Sequence, residues 1–375
     1  MDNKIKILCI IREPFIDSIP NLKSLLSKVS YDGVAVDLMA TEDEQFPAPS
    51  FLNSNLSYRS ISNKKRFCAL RLMIEGLRSC LTEKADCIIG CTTAGLLPAY
   101  ILSIVFRLPL IAFYVELPPD PKVEPLGWQN KLVSMIAKKS LFIITHDKVH
   151  SKFISNVLNV SIDKFLYLPN GTLGKVKNLN SNWLREKLDI EKSNPVILHS
   201  GGMGTWFDST ELAKITISWP HSWKLVFHTS HKLDPIVINE IENYKNQQVL
   251  IHNHPVSSSE LDNIVASADV GIAWYNINIL GFRAKMMGLA SGKIGNYLKC
   301  GVPVIVPNIP SIRDYIEEYK CGVWVDSLSN IKQAIEKILA DKEFYRLNAL
   351  KCYNELWRPE PYIDKIMHKI KAITI

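Results

Sequence analysis

Short runs rich in isoleucine, valine and leucine alternate along this chain with longer stretches in which apolar residues recur every three or four positions. The runs at 4–11, 33–38, 87–90, 109–114, 141–145 and 165–168 predict strands, and their near-continuous apolar character is that of parallel strands covered on both faces. Between them, 64–81, 96–106, 128–138 and 148–158 have helical length and spacing, each bounded by Gly, Pro, Asn or Asp. The order strand, helix, strand predicts a parallel α/β domain.

The rhythm stops at Pro169-Asn170-Gly171 and a polar stretch reaching Asn182, then restarts with strands at 195–199, 223–228, 249–252, 269–274, 302–306 and 323–326. Turn chemistry with few apolar residues marks a junction between domains. The expected division is therefore 1–170, 171–356 and a last helix within 357–375, broken from its predecessor by Pro359 and Pro361 and crossing back to the first domain. No internal repeat or low-complexity tract is present. Two Rossmann-like halves of similar size predict two parallel sheets facing across a cleft, the usual place for a ligand.

A chain of 375 residues, 47% hydrophobic and 22% charged, has the apolar content for two cores. Its eight cysteines are scattered, and it opens Met1-Asp2-Asn3-Lys4 without an apolar leader core, so a cytoplasmic setting is expected. The longest apolar stretch, 94–113, is interrupted by Pro98, Arg107 and Pro109 and does not read as a spanning helix. The formal charge of +7 favours polyanions: nucleotide phosphate, anionic lipid or nucleic acid. Residues 64–78, with Lys64, Lys65, Arg66, Arg71 and Arg78 among apolar residues, form a basic amphipathic stretch. It suits either peripheral contact with an anionic membrane, on its inner face, or ordinary packing on the sheet. No stacking aromatics interleave the basic run, which argues against nucleic acid. The nine histidines and the cysteines lack metal-ligand spacing, and no Asp-x-Asp pattern offers carboxylates to a metal-held diphosphate, so no metal or other cofactor is expected.

The most informative segment is Ser291-Gly292-Lys293-Ile294-Gly295-Asn296-Tyr297-Leu298-Lys299-Cys300-Gly301-Val302-Pro303-Val304-Ile305. Ser291 and Gly292 open a helix whose unpaired amides and positive end face whatever anion lies there. A well-capped helix before a strand is the plainer reading of the same residues. Upstream, Gly201-Gly202-Met203-Gly204 follows the first strand of this half, and glycine lets a backbone approach a phosphate because no side chain intervenes. Together with Ser267-Ala268-Asp269-Val270-Gly271-Ile272 and the Pro169-Asn170-Gly171 linker, these segments resemble the GT-B glycosyltransferases of the GT4-like kind.

That resemblance implies a donor nucleotide sugar held by the second half at Gly201, Gly202, Ser291, Gly292 and Asn296. Lys293, Arg283, Lys285 and Lys232 are then candidate cations for its diphosphate. It also implies transfer to a hydroxyl of a saccharide or lipid-linked acceptor in cell-surface polysaccharide or glycolipid synthesis, with retained anomeric configuration. Many relatives carry two glutamates two helical turns apart, where this chain has Gly288 and Asn296. Their absence keeps open a sugar-nucleotide epimerase of the same fold and a binding protein without catalysis. In the first half, Glu116 follows the strand at 109–114 and is the candidate catalytic carboxylate, with a surface glutamate as the alternative. Arg12-Glu13-Pro14-Phe15 replaces the glycine turn usual after the first strand, and Arg12 reads equally as a contact to acceptor or donor or as an exposed pair with Glu13.

Overall fold

The computed structural model describes residues 5–42, 48–62, 67–120, 128–230, 235–244 and 248–374. The chain divides into two compact units, one of Met1–Leu173 with Arg358–Ile375 and the other of Gly174–Trp357. The Pro169-Asn170-Gly171 turn belongs to the first: Ser24 Oγ donates to the Gly171 carbonyl and the Asn21 amide to Asn170 Oδ1.

The first unit holds strands β1 (Lys6–Ile10), β2 (Ala35–Glu42), β3 (Leu56–Ser62), β4 (Cys87–Cys91), β5 (Leu110–Phe113), β6 (Phe142–Thr145) and β7 (Phe165–Tyr167). They form one seven-stranded sheet in the order β3-β2-β1-β4-β5-β6-β7, parallel throughout. Helix α1 (Pro20–Tyr31) and the last helix, Glu360–Thr374, cover one face, where Leu22, Leu26, Ile363 and Ile366 pack on Ile7, Cys9 and Ile111. On the other face lie α2 (Cys68–Thr82), α3 (Thr92–Phe106), α4 (Trp128–Lys139) and α5 (Lys148–Leu158), packed on Leu8, Ile10, Ile88 and Ile143. Both faces are covered, which is why the central strands β4 and β5 are buried at every position and carry no charged residue.

Two elements lie outside the segments predicted from the sequence pattern. The buried side of α1 carries Asn21, Ser24 and Ser27 among its apolar residues, and the side chains of Asn21 and Ser24 find hydrogen bonds inside. Strand β3 is an edge strand, Leu-Ser-Tyr-Arg-Ser-Ile-Ser, mostly half-exposed and without an apolar run. The helix expected at 64–81 begins at Cys68, and Lys64, Lys65 and Arg66 lie outside the described residues.

The second unit carries α6 (Trp183–Leu188), β8 (Val196–Ser200), α7 (Ser209–Ile215), β9 (Lys224–Thr229), α8 (Pro235–Glu242), β10 (Val249–Asn253), α9 (Ser258–Ala266) and β11 (Val270–Ile272). There follow α10 (Ile277–Leu280), α11 (Phe282–Lys285), α12 (Gly292–Lys299), β12 (Val304–Pro307), α13 (Pro310–Tyr319), β13 (Gly322–Val325), α14 (Ile331–Ala340) and α15 (Lys342–Cys352); the last helix of the chain is α16. Its six-stranded parallel sheet has the order β10-β9-β8-β11-β12-β13. The cores on its two faces are centred on Leu198, Tyr297 and Val304, and on Ile197, Phe227 and Ile305. Among the described residues no helix is long and apolar enough to cross a membrane.

Candidate functional site

In each sheet the strand order reverses beside the first strand, so the loops leaving two adjacent strands diverge and open a crevice at their carboxyl ends. In the second unit that crevice lies at β8 and β11, and in the first at β1 and β4.

At the end of β8 the chain turns through Gly201, whose φ of 104° is a conformation other residues rarely hold. The helix α12 enters over the same strands. Its cap is Ser291, whose Oγ accepts from the Ile294 amide at 3.1 Å and also bonds the Tyr275 hydroxyl. The amides of Gly292 and Lys293 have no acceptor among the described residues. Tyr297, one turn further on, fixes the helix to the sheet: its hydroxyl accepts from the Ser200 amide at 2.7 Å and donates to the Leu198 carbonyl at 2.8 Å. Its ring lies where a Cβ at residue 271 would stand, 2.6 Å away, so only glycine fits that position of β11.

Lys293 projects from the first turn of α12 back over Gly201; its Cε is 3.5 Å from where a Cβ would be at that glycine. Its Nζ lies 3.1 Å from His199 Nε2, 4.4 Å from the centre of the Phe207 ring and 6.0 Å from that of Tyr275. No carboxylate among the described residues pairs with it. Burial against these rings pushes its pKa down to about 7. Burial, then the Lys293 charge, lowers the His199 pKa well below the ordinary value, so the ring is neutral. His199 Nε2 also lies 3.1 Å from the Gly202 carbonyl, and its buried Nδ1 has no partner among the described residues. One nitrogen cannot accept from an ammonium and donate to a carbonyl at once, so the charge on Lys293 and the tautomer of His199 are coupled.

The aromatic wall is held from behind. Asp208 accepts from Trp274 Nε1 at 3.0 Å and from Asn276 Nδ2 at 2.7 Å, while the Asn276 amide donates to the Trp206 carbonyl. These bonds tie the loop after β11, which carries Tyr275, to the loop after β8, which carries Phe207. Gly202 borders the same wall, since a Cβ there would stand 2.6 Å from the Phe207 ring. A groove of about 420 Å³ lies beside this turn, but Asp208, Glu211 and Glu240 among its lining make it a poor home for a diphosphate.

The structure thus brings Gly201, Gly202, Ser291, Gly292 and Lys293 together. Asn296 is half-buried on the second turn of α12, and its side chain makes no hydrogen bond among the described residues. Arg283 and Lys285 are exposed on α11, and Arg283 rests 5.9 Å from the Phe282 ring instead of joining Lys293. Lys232 lies outside the described residues. Among the described residues no group of three or more His, Cys, Asp or Glu is placed to hold a metal ion.

In the first unit, Glu13 follows β1, Thr92 opens the helix after β4, and Glu116 follows β5. Thr92 sits at φ 58°, a strained conformation for a β-branched residue costing about 1–3 kcal/mol, and its Oγ1 donates to Glu13 Oε2 at 2.8 Å. Glu13 is half-buried; desolvation, with a smaller push from the Glu116 charge, raises its pKa. Its hydrogen-bond partner is therefore Thr92, and Arg12, which stands exposed, is not its hydrogen-bond partner. Glu116 is exposed, and its backbone is steadied through Val115, whose carbonyl accepts from His146 Nε2 at 2.9 Å. Asn21 donates to His146 Nδ1, and burial pushes that ring's pKa down to about 4, so it is the neutral Nε2–H tautomer.

The whole chain superposes on a structure of HepE (Alr3699) from Anabaena in complex with UDP-glucose, with a TM-score of 0.74, 14% identity and coverage of 98% of this chain and 100% of that one. A glycosyltransferase from Rickettsia africae gives a TM-score of 0.75 at 15% identity and 99% coverage of both chains. Sucrose-phosphate synthase from Thermosynechococcus elongatus gives 0.74 at 14% identity, again with 99% of both. The fold is GT-B. Residues 217–370 match the family model of the C-terminal domain of glucosyltransferase 3-like proteins. No curated protein sequence is a significant match.

Within this GT-B chain the segment 291–305 and the glycine turn were legible from sequence, whereas His199, Phe207 and Tyr275 around Lys293 were not. His199 precedes Ser200-Gly201-Gly202, and that position was its one signal; the two aromatic residues belong to loops that no local pattern connects. Glu13 and His146 were missed for the same reason: each is made significant by a partner far along the chain.

Proposed function

We propose that the protein is a glycosyltransferase of the GT4-like kind that takes its sugar from a nucleotide-diphosphate donor, with retained anomeric configuration. The observation that carries this reading is the Lys293 ammonium: half-buried, without a carboxylate partner among the described residues, at the N-terminus of α12 and above the Gly201 turn. A diphosphate there completes what the protein leaves open, accepting from Lys293 and from the Gly292 and Lys293 amides. When the bond from the sugar C1 to the diphosphate oxygen breaks, its electron pair passes to that oxygen, and these donors stabilise the charge. C1 forms its new bond to the hydroxyl oxygen of a saccharide or lipid-linked acceptor on the same face that the diphosphate leaves, which keeps the anomeric configuration. Within the first unit, Glu116 with Glu13 beside it is the candidate acceptor for the hydroxyl proton.

HepE, which shares the fold, holds UDP-glucose in its structure, so UDP is the first donor base to try. The glucosyltransferase 3-like match over 217–370 supports the donor side in particular. Thermal unfolding with UDP, GDP, ADP and CMP and their common sugar conjugates tests the reading, because a ligand that binds only the native state raises its stability. A rise with one nucleotide family, lost in Lys293→Ala, is expected. No rise with any of them overturns the donor site. A rise without sugar transfer to any of a panel of acceptors identifies a binding protein that has lost catalysis, as Gly288 and Asn296 at the glutamate positions would then explain.

A further inference from the structure

The helices on the two faces of the first unit's sheet present different outer surfaces. On the α1 and α16 side, lysines are matched by carboxylates: Lys23 with Asp17, and Lys28 with Asp32 and Asp364. On the other side, the sequences of α2, α3, α4 and α5 contain a single carboxylate, Glu75, against Arg71, Arg78, Lys131, Lys138, Lys139, Lys148 and Lys152.

This second face is also apolar where it meets solvent. Leu70, Ile74, Leu77 and Leu81 follow one another along the outward side of α2, with Leu81 70% exposed. Their spacing is that of one helical stripe, while Leu72, Gly76 and Ser79 face inward. The stripe continues onto α3, where Ile104 and Val105 are each 58% exposed and Arg107 follows in the left-handed conformation. The two helices are joined without a gap because residue 76 is glycine: a Cβ there would collide with Leu102 of α3. One apolar strip edged by Arg71, Arg78 and Arg107 results, larger than the 64–78 segment suggests by itself.

We infer that this face, the exposed side of α2 and α3, docks on an anionic lipid bilayer. Charge complementarity selects that occupant: long arginine stems lie along apolar surface while their heads reach outward, which suits phosphate headgroups above acyl chains. A second copy packed on the same face would need carboxylates to match these cations, and among the described residues of α2 and α3 and their ends the carboxylates are Glu75, paired with Arg78 at 2.5 Å, and Glu83, paired with Lys6. The inference goes beyond the transferase reading and does not depend on it.

The test is sedimentation of the full chain with vesicles of phosphatidylcholine alone and of phosphatidylcholine mixed with phosphatidylglycerol. Wild type is expected to pellet with the mixed vesicles only and to be released by high salt. Leu70→Glu combined with Ile104→Glu should weaken that binding by about tenfold or more, since both charges enter the face that meets the bilayer. Ile217→Glu, a change at an 89% exposed residue of the other unit, should leave it intact. Circular dichroism melts and the nucleotide-induced thermal shift serve as controls that the variants fold and keep the donor site. The inference is overturned if wild type stays in the supernatant with both vesicles, or if the double variant pellets as wild type does. It is likewise overturned if the double variant splits an oligomer of the free protein while wild type ignores vesicles, for then the face covers a second copy.

Discussion

The crevice at β1 and β4 and the crevice at β8 and β11 occupy the same place in two sheets of the same kind, yet they are built with opposite chemistry. In the second unit a glycine turn and a capped helix bring free amides and the Lys293 ammonium together, walled by Phe207 and Tyr275. The first unit has Glu13 in place of a glycine turn, pinned by a strained Thr92 and neighboured by Glu116. Topology supplies a place where loops diverge, and the residues at the strand ends decide whether that place welcomes an anion or a proton.

Separating the two crevices by mutation is the sharpest way to test this contrast. The largest effect is expected in turnover: Glu116→Gln should lower the rate by about a hundredfold, the scale of a general base, while nucleotide affinity measured by calorimetry stays as in wild type. A parallel loss of nucleotide affinity would erase the division of labour. Lys293→Ala should act the other way, weakening nucleoside diphosphate by about 2 kcal/mol, roughly thirtyfold, as expected for a charge-assisted hydrogen bond.

The pH dependence of donor binding comes next. In the free protein Lys293 titrates at about 7, below the ordinary lysine value, because burial disfavours its charge. A diphosphate binds the ammonium form. Above that pH, binding must take up a proton, so affinity should fall as pH rises, by up to about tenfold per unit, and level off below it. Lys293→Arg carries a fixed charge and should flatten the profile. Without ligand the sign reverses: between about 7 and the ordinary lysine pKa the unfolded chain binds the extra proton, so this residue makes stability rise with pH. The smallest effect is structural. Tyr297→Phe leaves the Ser200 amide and the Leu198 carbonyl without their partner and should cost about 1–2 kcal/mol in urea unfolding.

The same contrast explains what could be read from sequence. Parallel strands covered on both sides are built from nearly continuous apolar runs, so β1, β4, β8 and β12 announce themselves; β3, at the edge, and α1, whose buried side carries serines, do not. The signal in the second unit is local, because a cap, a lysine and a glycine turn each lie within a few residues of a strand end. Its counterpart in the first unit is dispersed: Glu13 gains its meaning from Thr92, and the backbone before Glu116 is held by His146, which Asn21 orients. Lys232 and the head of the basic stretch at 64–66 fall outside the described residues.

The central claim is that one ammonium on α12 holds the donor diphosphate, and titration calorimetry of the full chain tests it most directly. UDP, or whichever nucleoside diphosphate the thermal panel selects, should bind wild type and Glu13→Gln alike, and the matching monophosphate or nucleoside more weakly. Lys293→Ala should lose most of the preference for the diphosphate. Equal diphosphate binding by Lys293→Ala and wild type would contradict the account.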